Sequence, residues 1–215
     1  MVIAFFQFVS TAVVWIVLKI FTRFEVNGRE NLREIRRPFI IVANHESHLD
    51  PPLVGVAMLY QPKLFPIRFM AKDQLFWIPG FNLLIWLLGS FRARKKQGIG
   101  RTLLGPVKIL ENKGGLVMFP EAHIFPERGA LGSGRRGAAI LALTTRAQLV
   151  PISLHTPAGL NPFKFIFTRP HIVINIGEPF YLNNTYYLDF SDENTTAATA
   201  VIMGKIAALY HQHQY

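Results

Sequence analysis

Cysteine is absent from the 215-residue chain. Disulfides, thiolate zinc sites, iron–sulfur clusters and cysteine nucleophiles are therefore excluded. Acidic residues are scarce, 13 Asp and Glu against 23 Lys and Arg, giving a formal net charge of +10. Charge of either sign is sparse at 17%, while hydrophobic residues reach 50%. Disordered tails, coiled coils and collagen-like repeats are more polar or strictly periodic, so those classes are excluded as well. The length suits one domain with a well-buried core. A basic and apolar composition points to a membrane surface, where anionic lipid attracts Lys and Arg and apolar faces insert; no nucleic-acid partner is expected.

Charge is missing altogether from Met1 to Leu18. As a helix rising about 1.5 Å per residue, that run covers about 27 Å, close to the thickness of a bilayer core. No Lys or Arg precedes it and no Ala-x-Ala site comes after it, so a cleaved secretory signal is not expected. Lys19 and Arg23 lie directly after it, which would hold the C-terminal side of the helix on the cytoplasmic face. Residues 1–23 are thus expected to form a membrane-associated helix, spanning the bilayer or lying in its interface, with residues 24–215 as one domain.

That domain reads as alternating strands and helices. Phe39–Ala43, Arg68–Ala71, Leu116–Phe119, Val150–Leu154 and His171–Gly177 carry strand patterns; Leu53–Leu59, Gly137–Thr145 and Thr196–His211 read as helices, the first with Asp50 placed to cap it. Such alternation predicts an α/β fold, a single domain with a largely parallel mixed sheet flanked by helices. Leu75–Phe91 is a second apolar stretch, broken at Pro79-Gly80; a helix on or under the membrane surface is expected there. Between Gln74 and Leu110 no Asp or Glu occurs, whereas Arg92, Arg94, Lys95, Lys96, Arg101 and Lys108 all fall inside. This run carries positive potential suited to phosphates.

The densest polar cluster is Asn44-His45-Glu46-Ser47-His48-Leu49-Asp50, directly after an apolar strand. In an open α/β sheet, strand ends are where side chains emerge into a crevice. On one continuous helix His45 and Asp50 would point about 140° apart. A loop turning into a helix, as Asp50-Pro51-Pro52 favours, lets them meet. The carboxylate then orients the imidazole and stabilises its protonated form, leaving the second ring nitrogen to act as a general base. None of the six serines lies in a G-x-S-x-G elbow, so no acyl-enzyme is expected. Gly98-Ile99-Gly100 lacks the third glycine of a dinucleotide loop, and no metal site is expected.

Four blocks occur in order: Asn44-His45 to Asp50, Gly89-Ser90-Phe91-Arg92-Ala93-Arg94-Lys95, Phe119-Pro120-Glu121, and Val150-Pro151-Ile152. With this series, from about Phe24 to Phe180, the chain resembles the glycerolipid acyltransferase family. The resemblance implies transfer of a fatty acyl group from a thioester, coenzyme A or acyl carrier protein, to the free hydroxyl of 1-acylglycerol-3-phosphate, giving phosphatidic acid. No further cofactor is implied. It makes His45 the base and Asp50 its partner, and assigns the second and third blocks to the acceptor's phosphate and glycerol. Arg92, Arg94, Lys95, Glu121 and His123 are the candidates for that binding. The block's basic position falls on Arg94 or on Lys95. Pro151 is placed near the acyl-donor side. The sequence departs from the family at Ala122-His123-Ile124, where Gly-Thr-Arg is common; His123 is a candidate substitute, with Arg128, Arg135 and Arg136 near enough to compensate. That departure leaves open another lysophospholipid or a lipid-linked alcohol as acceptor; the basic and apolar composition alone would also suit a non-catalytic membrane-binding protein, against which the presence of both His45 and Asp50 argues.

Overall fold

The computed structural model describes residues 2–93, 98–124, 131–156, 168–187 and 191–212. The apolar N-terminal run forms helix α1 (Val2–Phe21). Among the described residues seven strands come after it: β1 (Arg23–Asn27), β2 (Phe39–Ala43), β3 (Ile67–Lys72), β4 (Ser90–Ala93), β5 (Gly115–Met118), β6 (Gln148–His155) and β7 (His171–Ile176). They build one sheet in the order β1-β7-β6-β2-β5-β3-β4. Every neighbouring pair is parallel except β6 with β7. The expected largely parallel α/β sheet flanked by helices is thus present.

Central β2 is buried along its whole length, as an apolar strand covered on both faces must be. Phe39, Ile41 and Ala43 face one core layer, with helix α2 (Asp50–Met58); Ile40 and Val42 face the other, with α5 (Gly137–Thr145) and α6 (Asp192–His211). Helix α6 begins four residues before the predicted Thr196. Ser191 caps it by accepting the Asn194 N–H, and Asp192 and Glu193 occupy its first turn. The stretch Leu75–Phe91 is not one surface helix. Gly80 (φ 76°) and Gly89 (φ 85°) take left-handed conformations and divide it into a 3₁₀ segment (Asp73–Trp77), α3 (Phe81–Leu87) and the start of β4. Helix α4 (Gly98–Glu111) then leads to β5.

Helix α1 is the one described helix long and apolar enough to cross a membrane. It is also docked on the domain. Gln7, 3% exposed, donates through Nε2 to the carbonyls of Ile67 (2.6 Å) and Leu88 (2.7 Å) and accepts the Ile67 N–H (3.1 Å). A Cβ on Gly89 would overlap the Gln7 carboxamide, so that glycine is required by the close approach. Four residues along α1, Thr11 packs against Gly55 of α2. The opposite face, including Phe5, Phe6, Val9, Val13, Ile16 and Ile20, is exposed.

Candidate active site

The site forms where β2 and β5 end side by side. Beyond Ala43, the Asn44 side chain takes over from the backbone ladder: Nδ2 donates to the Leu154 carbonyl (2.8 Å) and Oδ1 accepts the Leu154 N–H (2.7 Å). The backbone is thereby freed to turn at His45. Asp50, expected as a helix cap, is the first residue of α2, and its carboxylate folds back onto the loop instead. Fully buried, its Oδ2 accepts from His45 Nδ1 (2.7 Å), Glu46 N (2.7 Å) and Ser47 N (2.8 Å), while Oδ1 accepts from Ser47 Oγ (2.8 Å). Pro51 and Pro52 come next, where the first helical turn needs no donor. A carboxylate only accepts, so Nδ1 of His45 carries the proton and Nε2 is the nitrogen left with a lone pair. The ring stacks on Phe119 (centroids 4.4 Å apart, planes at 20°) and lines the cleft.

Phe119 opens the turn after β5, in which Ala122 holds a left-handed conformation (φ 60°). Glu121, 3% exposed, lies beneath this turn and does not line the cleft. Burial pushes its carboxyl up from 4.5 to about 7, opposed by hydrogen bonds from the backbone N–H groups of His45 and Gly132. Its Oε1 has no hydrogen-bond partner among the described residues. Glu121 therefore supports the backbone of His45 from below.

The cleft, about 1720 Å³, runs to both sides of His45. One arm lies under α1, lined by Ser10, Thr11, Val14, Gly55, Ile67 and Ile85, and is mostly apolar. The other carries His123, Arg135 and Arg136 together with Thr199 and Met203 of α6. Arg135 Nη2 donates to His123 Nε2 at 3.2 Å, and Arg136 pairs with Asp192. The sequence candidates thus divide. His45 and His123 line the cleft, as does Arg135, one of the nearby arginines, and Asp50 is buried behind His45. Arg92 faces a separate hollow, and Pro151 is buried within β6 opposite Val42. Arg94, Lys95 and Arg128 lie outside the described residues. Among the described residues no group of three His, Asp or Glu side chains is arranged to hold a metal.

Two further residues reach the site from afar. Glu46 accepts from the backbone N–H of Thr156 (3.0 Å), at the end of β6, and from the hydroxyl of Tyr210, near the end of α6. Burial raises its carboxyl pKa, partly opposed by those same hydrogen bonds. Tyr210 in turn stacks on His155 at 4.3 Å. No sequence pattern joins Glu46 to Tyr210.

The sequence is 25% identical over 187 residues to the 1-acyl-sn-glycerol-3-phosphate acyltransferase of Saccharomyces cerevisiae, covering 83% of this chain and 59% of that protein. It is 28% identical over 166 residues to 1-acyl-sn-glycerol-3-phosphate acyltransferase beta of Homo sapiens, 73% of this chain and 55% of that one. The chain spans about half the length of the curated relatives it matches. Among solved structures, the 1-acyl-sn-glycerophosphate acyltransferase PlsC of Thermotoga maritima shares the fold, with a TM-score of 0.67 and 24% identity over 99% of this chain and 80% of that one. The sequence profile of the acyltransferase family matches residues 23–155, the span that carries β1 to β6 and the His45–Asp50 loop. The chain belongs to the acyltransferase family.

Proposed function

We propose that the protein transfers a fatty acyl group from a thioester to the free hydroxyl of 1-acylglycerol-3-phosphate, giving phosphatidic acid. The observation that carries this reading is the His45–Asp50 pair at the middle of a cleft with one apolar arm and one basic arm. The names of the yeast and human relatives agree with it. Nε2 of His45 takes the proton of the acceptor hydroxyl as that oxygen attacks the thioester carbonyl. Asp50 stabilises the imidazolium that results. The tetrahedral intermediate then expels the thiolate, which takes that proton from Nε2 and leaves as the free thiol. Ser47, the serine nearest in sequence, donates its hydroxyl to Asp50 and not to His45, in keeping with direct transfer. A thioester is already activated, so positioning and a base supply much of the acceleration.

The apolar arm under α1 suits an acyl chain, and Arg135 suits the acceptor's phosphate. The exposed apolar face of α1 favours a membrane-bound enzyme, and Lys19 and Arg23 after it favour a catalytic domain on the cytoplasmic face. Coenzyme A and an acyl carrier protein both suit the acid-free basic run between Gln74 and Leu110 as carriers. A second reading keeps the chemistry and changes the acceptor to another lysophospholipid or a lipid-linked alcohol. It is favoured by Ala122-His123-Ile124, which stands where Gly-Thr-Arg is common in the family.

The test supplies membranes containing the protein with labelled acyl thioester and a panel of acceptors, beside His45→Ala. His45-dependent acylation of 1-acylglycerol-3-phosphate is expected. Transfer to other acceptors alone would replace the first reading by the second, and no His45-dependent transfer to any acceptor would end both.

A further inference from the structure

A second hollow, about 450 Å³, sits at the β4 edge of the sheet and shares only Ser90 with the lining of the reaction cleft. Arg68, Arg92, Phe76 and Trp86 are among its walls. Arg92 was a candidate for the acceptor's phosphate, yet its guanidinium lies over the rings of Phe76 and Trp77, 5.3 and 5.2 Å from their centroids. Such stacking holds the guanidinium by its face and leaves the N–H edge for an acceptor. Nε of half-buried Arg68 is buried without a hydrogen-bond partner among the described residues, and burial lowers its pKa. The ion pairs among the described residues involve neither arginine. Two cations line one hollow, and among the described residues one has an unsatisfied donor and no carboxylate pairs with either; an anion suits all three features.

The rim identifies the kind of anion. Trp77 is 74% exposed, and Ile78, Leu83, Leu84 and Trp86 are exposed beside it. Exposed apolar side chains and tryptophans beside two cations match the boundary between acyl chains and headgroups. Helix α3, which carries part of this rim, packs against α1, so the exposed apolar surfaces of both lie on neighbouring elements. We propose that Arg68 and Arg92 form a binding site for the phosphate of an anionic phospholipid headgroup, a lipid that is not the acyl acceptor. This site does not rest on the acyl-transfer reading. It selects the lipid beside the protein, whereas the cleft selects the lipid that reacts.

The test reads lipid selectivity at the site itself. In a Trp15→Phe background the remaining fluorophores are Trp77 and Trp86. The full chain is reconstituted in phosphatidylcholine vesicles, and quenching by brominated phosphatidylglycerol is compared with quenching by brominated phosphatidylcholine. The anionic lipid is expected to associate about 25-fold more strongly, about 5-fold for each arginine. R92Q should lower the ratio about 5-fold and R68Q/R92Q should bring it near unity. R68K should keep it, as should K113Q, which removes a charge just before β5. Equal ratios for the double variant and the parent would overturn the proposal, as would a matching loss of quenching by phosphatidylcholine. Displacement of the brominated anionic lipid by coenzyme A would assign the site to the donor's phosphates and overturn the lipid assignment.

Discussion

Asp50→Asn separates the charge of the catalytic pair from its scaffolding. The amide oxygen can take the position of Oδ2 and keep the three donors His45 Nδ1, Glu46 N and Ser47 N. The amide nitrogen then faces Ser47 Oγ, which is able to accept. The loop therefore keeps its hydrogen bonds, and stability is expected to stay within about 1 kcal/mol of the parent. What is lost is the negative charge beside an imidazole that becomes cationic as the hydroxyl is deprotonated. At an effective dielectric near 20 and a separation of about 4 Å, that attraction is worth about 4 kcal/mol. Turnover should fall about a thousandfold, since each factor of ten takes about 1.4 kcal/mol. The assay pairs acyl-transfer rates with thermal unfolding of the same preparations. Combining the change with His45→Ala should cost little beyond His45→Ala alone, because the two side chains act as a unit. A loss under tenfold, or one accompanied by several kcal/mol of destabilisation, would refute this division of roles.

Three other outcomes are expected. Gln7→Leu removes three hydrogen bonds to Ile67 and Leu88 and should destabilise the protein by roughly 3 kcal/mol in denaturant titration; a change below about 0.5 kcal/mol would mean that α1 is not docked through this side chain. Glu121, whose carboxyl rises from 4.5 to about 7 in the fold, favours the native state when protonated; its contribution is complete below the unfolded pKa and is lost as pH rises toward and through 7. Between those values the parent should lose roughly 3 kcal/mol more stability than Glu121→Gln, and parallel pH–stability curves would contradict this. Arg135→Gln should raise KM for a phosphate-bearing acceptor about tenfold with a smaller effect on kcat, and leave acceptors without phosphate unaffected.

Local pattern carried the reading of β2, β5, β6 and α5, whose apolar runs are short, buried and bounded by turn residues. Strand β1 escaped notice because Arg23-Phe24-Glu25-Val26-Asn27 alternates as an edge strand does and presents no apolar run. The division of Leu75–Phe91 turned on two left-handed glycines, and hydrophobicity alone does not reveal a φ angle. At the site, His45 and Asp50 were legible because one loop carries both. The burial of Glu121 under the His45 backbone, the turn of Arg92 away from the cleft, and the meeting of Arg135 with His123 depend on how strands stack and where loops cross. Tyr210 on Glu46 is the extreme case, a contact between residues 164 positions apart.

That last contact bears on how the protein matures. The loop holding the base is braced by a hydroxyl from α6, so the pair is in register only after α6 has closed over β6. Closing so large a loop is entropically costly, and contacts of this range form late in folding. During refolding, helix and sheet signals should therefore return before turnover does. Enzymatic activity would then serve as a proofreading signal for the whole fold, since a nearly finished chain with α6 undocked would be compact yet silent.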